Sequence, residues 1–127
     1  IIKEYSLESK IVFLGPRQDV ASFMKSCDLL IHPAREEAAG NIIIEAIVSG
    51  LPSIVSSEVG FACEVIKYNA GEVLKGEFNQ DKFNSLLEEV LSSEKLSSIK
   101  SAISHQSEKD YFFSRFQFIA DYVEETF

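Results

Sequence analysis

Clustered cations, long apolar runs and paired cysteines are all scarce in this sequence, and each scarcity removes a class of function. Twelve Lys and Arg stand against 20 Asp and Glu, a formal charge of −8 over 127 residues. Nucleic acids and anionic membranes are bound through patches of Lys and Arg, so neither is expected as a partner. No apolar stretch reaches the roughly 18–20 residues of a membrane span, and the opening Ile1-Ile2-Lys3-Glu4-Tyr5 lacks the layout of a signal peptide. The two cysteines, Cys27 on a predicted helix face and Cys63 in a predicted loop, match neither a disulfide framework nor a zinc pattern. They are expected as buried thiols of a protein in a reducing cytoplasm. Internal repeats and low-complexity tracts are missing as well. Without an initiator Met, the sequence reads as a fragment of a longer chain.

What remains suits one ordinary core: a hydrophobic content of 46% supports a single domain over residues 1–127. Residues 1–7 read as the tail of a helix, and 10–14 (Lys-Ile-Val-Phe-Leu) as a short buried strand closed by Gly15-Pro16. Val20, Phe23, Met24 and Cys27 keep helical spacing, which predicts a helix over 19–26 covering one face of a sheet. A second strand is expected at 28–32, ended by Pro33, and a third at 53–56, after Gly50 and Pro52 stop the intervening helix. One or two helical turns at 61–67 and a last strand at 70–74 follow. An amphipathic helix then starts near Asn79 or Asp81, a Ser-rich helix covers 95–104, and Phe112, Phe116, Ile119, Val123 and Phe127 predict a terminal helix. Strands alternating with helices point to an α/β fold with a doubly wound parallel sheet.

One stretch organises the rest: His32-Pro33-Ala34-Arg35-Glu36-Glu37-Ala38-Ala39-Gly40-Asn41, a loop at the carboxyl end of a strand, leading into a helix. Open α/β sheets bind ligands at that end. Ile42, Ile43, Ile44, Ala46, Ile47 and Val48 make the helix apolar on nearly every side, so Glu45 is expected inside, where a carboxylate needs a partner. Ala38, Ala39 and Gly40 carry no long side chain to cover the helix start, and its unpaired N–H groups then suit a phosphate. The competing reading has Asn41 capping the helix itself, with Glu36 and Glu37 complementing its positive end. Residue types alone leave the two even.

Glu37, seven residues and Glu45, followed by Ala46, Gly50 and Pro52, resemble the E-x7-E signature of retaining glycosyltransferases of family 4, which have the GT-B fold. His-Pro-Ala-x-x-Glu-Ala-Ala-Gly, Glu-Ala and Gly-Leu-Pro are similar to the lipopolysaccharide glucosyltransferase I branch, which adds glucose to core heptose. The resemblance implies the Rossmann-like, donor-binding C-terminal half of such an enzyme, lacking its first strands. It implies a UDP-sugar donor, UDP-glucose in this branch, and a lipopolysaccharide or related glycan acceptor held by an N-terminal domain outside this sequence. Glu37 would then be catalytic, contacting donor-sugar hydroxyls, while Glu45 would bind the ribose. Ala38, Ala39, Gly40 and Asn41 would hold the diphosphate through their backbone. Arg17, after the Gly15-Pro16 turn, would lie beside the nucleobase. Further Arg and Lys on the diphosphate belong upstream of Ile1, and any peripheral contact with the inner membrane would come through regions outside the sequence.

No second His, Cys or Asp at ligand spacing makes a metal site with His32, which reads as a structural group, and no metal or other cofactor is expected. Ser56, Ser57 and Gly60 fall at the end of the third strand on the donor side, where Gly60 is the stronger pocket candidate. A glycosidase is a poor rival, since nothing fixes the carboxylate separation that hydrolysis requires. A non-enzymatic nucleotide-binding or signalling module of the receiver type is the alternative, but His32-Pro33 occupies the strand end where a phosphoacceptor would be needed.

Overall fold

The computed structural model describes residues 1–105, so the helix predicted beyond residue 111 lies outside the described residues. Helix α1 (Val20–Lys25) leads to strand β1 (Leu30–His32), helix α2 (Asn41–Ser49), strand β2 (Ser53–Ser56), helix α3 (Ala62–Lys67) and strand β3 (Gly71–Leu74). Helices α4 (Gln80–Leu91) and α5 (Ser93–His105) follow. The strands pair in parallel in the order β1-β2-β3, with Leu30 opposite Ser53 and Ser53 opposite Gly71. Parallel neighbours need crossover connections, and α2 and α3 supply them. All four residues of β2 are buried. Because successive strand residues face opposite sides, both faces of the sheet are covered there.

Ile43 and Ile47 of α2, Ile54 and Val55 of β2, Val65, Val90, Ile99 and Ile103 form the main core. Helix α4 starts where Asn79, in extended conformation, accepts a hydrogen bond from the Lys82 N–H at 2.9 Å. That bond satisfies one of the four orphan donors of a helix start.

The strand expected at 10–14 is not formed. The segment is exposed, with Val12 at 75% and Phe13 at 83% of full accessibility. A strand exists through its ladder, and among the described residues this segment pairs with no strand: the sheet ends at β1, whose second edge it does not join. Residues 1–7 form hydrogen-bonded turns and not a helix tail. Helix α1 packs chiefly on α2, not on the sheet, through Met24 against Ala46 and Leu51. The buried-thiol expectation fails for Cys63, which sits on the outward face of α3 opposite the buried Ala62 and Val65, while Cys27 is half-buried.

Candidate active site

The loop between β1 and α2 is held by backbone against the loop that follows β2. Glu37 donates its N–H to the Glu58 carbonyl at 3.3 Å, and the Glu37 carbonyl accepts from the Gly60 N–H at 3.1 Å. Phe61 N–H then reaches the Ala39 carbonyl at 3.0 Å, so the two loops run side by side as a parallel bridge centred on Glu37 and Val59. Gly60 makes the approach possible: a Cβ there would stand 2.1 Å from the Ala38 carbonyl oxygen. Ser56 ties the loop's first turn by donating its hydroxyl to the Ala34 carbonyl.

Gly40 sits at the N-cap of α2 with φ +76°, and Asn41 is the first helical residue. The cap reading for Asn41 is therefore overturned. The backbone must turn through the left-handed region just before the helix, where Gly is favoured over Asn. No side chain caps the helix. Among the described residues, the N–H groups of Ala38, Ala39, Gly40, Asn41 and Ile42 donate to nothing in the protein. Ala38, Ala39 and Asn41 are exposed and Gly40 is buried. A row of unpaired donors at the positive end of a nine-residue helix suits an anion by its electrostatics.

Glu45 is exposed, contrary to the expectation that it lies inside. Helix α2 buries Ile43, Ile44, Ala46 and Ile47, whereas Asn41 and Glu45, four residues apart, are turned away from the core; Ser49, a turn further on, is half-buried against Met24. Glu45 thus needs no internal partner and stands one turn above the free N–H groups, open to a ligand.

Glu37 is anchored differently. Its Oε2 lies 2.5 Å from His32 Nε2, with side-chain exposures of 38% and 24% respectively. An ionised carboxylate only accepts, so Nε2 carries the proton and donates. Glu37 Oε1 accepts no hydrogen bond among the described residues. Sequence reasoning took His32 for a structural group and missed this contact. The available signal was a His and a Glu five residues apart across a turn begun by Pro33.

Arg17 is brought to Asp19 and not to the loop. Its guanidinium donates from Nε to Asp19 Oδ1 at 2.8 Å and from the second nitrogen to Oδ2 at 2.5 Å, and it lies 5.1 Å from the Phe23 ring centre. The paired hydrogen bonds hold the Arg17 pKa above its ordinary value and the Asp19 carboxyl below its own. An open crevice of about 650 Å³ lies at the carboxyl ends of the three strands, lined by Ala34, Arg35, Ser56, Glu58, Glu77 and Phe78 among others. Ser57 binds Glu58 and the Gly76 N–H, bracing the crevice wall. No group of three or more potential metal ligands occurs among the described residues.

Residues 1–106 match the family described as Glycosyl transferases group 1. The chain belongs to the group 1 glycosyl transferases. Within this family it is 34% identical over 96 residues to the lipopolysaccharide glucosyltransferase WaaG of Escherichia coli strain K12, covering 76% of this chain and 26% of that protein. The crystal structure of WaaG, a glycosyltransferase involved in lipopolysaccharide biosynthesis, superposes with a TM-score of 0.77 at 32% identity, over 84% of this chain and 29% of WaaG. An E. coli UDP-Gal:alpha-D-GlcNAc-diphosphoundecaprenol alpha-1,3-galactosyltransferase is 34% identical over 62 residues, 49% of this chain and 16% of that one. Sucrose-phosphate synthase of Thermosynechococcus elongatus shares the fold, with a TM-score of 0.64 at 21% identity over 94% of this chain and 33% of that chain. The α/β fold with a parallel sheet is thus that of the GT-B glycosyltransferases. This group 1 chain spans about a quarter of the length of WaaG. No helix among its described residues is long and apolar enough to cross a membrane.

Proposed function

We propose that this chain is the donor-binding part of a retaining glycosyltransferase that uses a UDP-sugar, with UDP-glucose as the donor and a lipopolysaccharide core or related glycan as the acceptor. The observation that carries the reading is the coincidence, on one loop, of a fixed carboxylate, Glu37, with a row of unpaired N–H groups at the start of α2. A carboxylate with a free oxygen accepts hydrogen bonds from sugar hydroxyls, and the N–H row donates to a diphosphate. Glu45, one turn along the same helix, is open to ribose hydroxyls. The likeness to a protein named as a lipopolysaccharide glucosyltransferase supports glucose and the acceptor class, and the likeness to one named for UDP-Gal supports a UDP donor.

As the glycosidic bond breaks, the departing diphosphate gains negative charge, and donors fixed in advance stabilise it most in the transition state. Ala38, Ala39, Gly40 and Asn41 act there through backbone, and Glu37 holds the sugar. The reading gives no step to a metal or other cofactor. Acceptor binding and further cations on the diphosphate fall to parts of the enzyme outside this chain, and the unpaired thiols agree with action in the cytoplasm.

Saturation-transfer NMR with UDP, ADP and GDP tests the donor class: UDP should give the strongest signal, and equal signals from all three would reject it. The full reading frame that carries this chain should turn UDP-glucose and a heptose-containing core into an α-glucoside. Glu37→Ala should abolish turnover and weaken UDP-glucose; unchanged UDP-glucose binding by that variant would remove Glu37 from the site.

A further inference from the structure

Glu37 is fixed at three points, and the third is unusual. Its N–H and its carbonyl are both taken by the facing loop, which sets the position of its Cα. The side chain could still rotate, and among the described residues only His32 hydrogen-bonds it, with Nε2 on one carboxylate oxygen. His32 in turn is the last residue of β1, registered opposite the fully buried Val55 of the central strand. The imidazole is therefore carried by a residue held in the sheet ladder, and through it a carboxylate on a loop is tied to the sheet. One oxygen of Glu37 is occupied and the other is free, so a ligand hydroxyl meets an acceptor already aimed.

We propose that His32 is the positioning residue for Glu37 and that it governs how the site binds the sugar of its donor, leaving the nucleotide part untouched. The inference rests on the donor-site reading given above. Pre-orientation of this kind lowers the ordering cost of binding and holds the reacting geometry. A His32 whose role was only to stabilise the loop would affect nucleotide and sugar alike, because the bridge at Glu37 and Val59 leads directly into the free N–H row.

The test uses the full reading frame and compares the dissociation constants of UDP and UDP-glucose in the wild type, His32→Phe, His32→Asn and His32→Gln. Phe keeps the ring shape without a donor, and Asn places its amide too close to the backbone to reach. Gln can bring an N–H to the place of Nε2. His32→Phe and His32→Asn should weaken UDP-glucose by roughly ten- to a hundredfold, the worth of one hydrogen bond to a charged group, with UDP changed by less than about twofold. His32→Gln should recover most of the loss. Equal weakening of UDP and UDP-glucose, or no weakening of either, would overturn the proposal. So would a Gln variant as poor as Phe in a protein that still binds UDP normally. If the wild type bound neither ligand, the donor-site reading itself would fall, an outcome distinct from a wild type that binds both and variants that keep the sugar's contribution.

Discussion

Substituting Gly60 by Ala should damage the site more than any exposed loop position would suggest. The added Cβ would stand 2.1 Å from the Ala38 carbonyl oxygen, 2.9 Å from its carbon and 3.2 Å from the Ala39 Cα. All three atoms are backbone, so no side chain can swing aside. Relief requires the two loops to part, at the expense of the Gly60 N–H to Glu37 and Phe61 N–H to Ala39 hydrogen bonds. Two such bonds are worth about 1–3 kcal/mol together, and overpacking adds a comparable amount, so a loss of about 2–6 kcal/mol is expected. At a urea dependence near 2 kcal/mol per molar, the unfolding midpoint falls by about 1–3 M. Gly50→Ala is the matched comparison: it has φ +76° and nothing within 4 Å of the added Cβ. It should lose only about 1 kcal/mol, the strain of a left-handed backbone. Urea denaturation of both variants decides. If Gly60→Ala were no worse than Gly50→Ala, the close approach of the loops would be wrong, and with it the anchoring of Glu37.

Loss of the α4 cap in Asn79→Ala should cost about 1 kcal/mol, with Asn79→Asp close to wild type; equal stability of the Ala variant would show that the bond to the Lys82 N–H carries no weight. Lys95 lies 2.6 Å from Glu72 and 3.7 Å from Glu89, and its pKa is raised first by the hydrogen bond to Glu72 and then by that carboxylate's charge. A raised pKa means stability that is fully present below the unfolded value of about 10.4 and is lost as pH rises through the folded value. Lys95 is 37% and Glu72 32% exposed, so solvent screening keeps the pair's worth below about 1 kcal/mol. The difference in urea midpoint between wild type and Lys95→Met should accordingly shrink above pH 10, and a gap constant from pH 7 to 11.5 would refute the pairing.

Local pattern determined a good part of this protein. Alternation of apolar runs with helical spacing placed β2 at 53–56 as it is found, with β3 and α3 within one residue. Asn79 signalled the start of α4, and Pro33 the loop that leaves β1. The family resemblance was likewise legible in that loop, because a short spacing between Glu37 and Glu45 survives in sequence. Tertiary structure decided the rest. Residues 10–14 have the composition of a strand, but a strand needs a neighbour, and which neighbours exist is a long-range matter. An apolar run on nearly every side predicts Glu45 inside; Asn41 and Glu45, four residues apart, mark a polar side in the sequence, yet only packing shows which side α2 turns to the core. The grip of His32 on Glu37 spans only five residues but depends on how the loop turns, and the seam between Gly60 and Ala38 depends on two loops meeting across more than twenty residues of chain. Side-chain chemistry says what each group can bind, and only the closed loops say which groups meet.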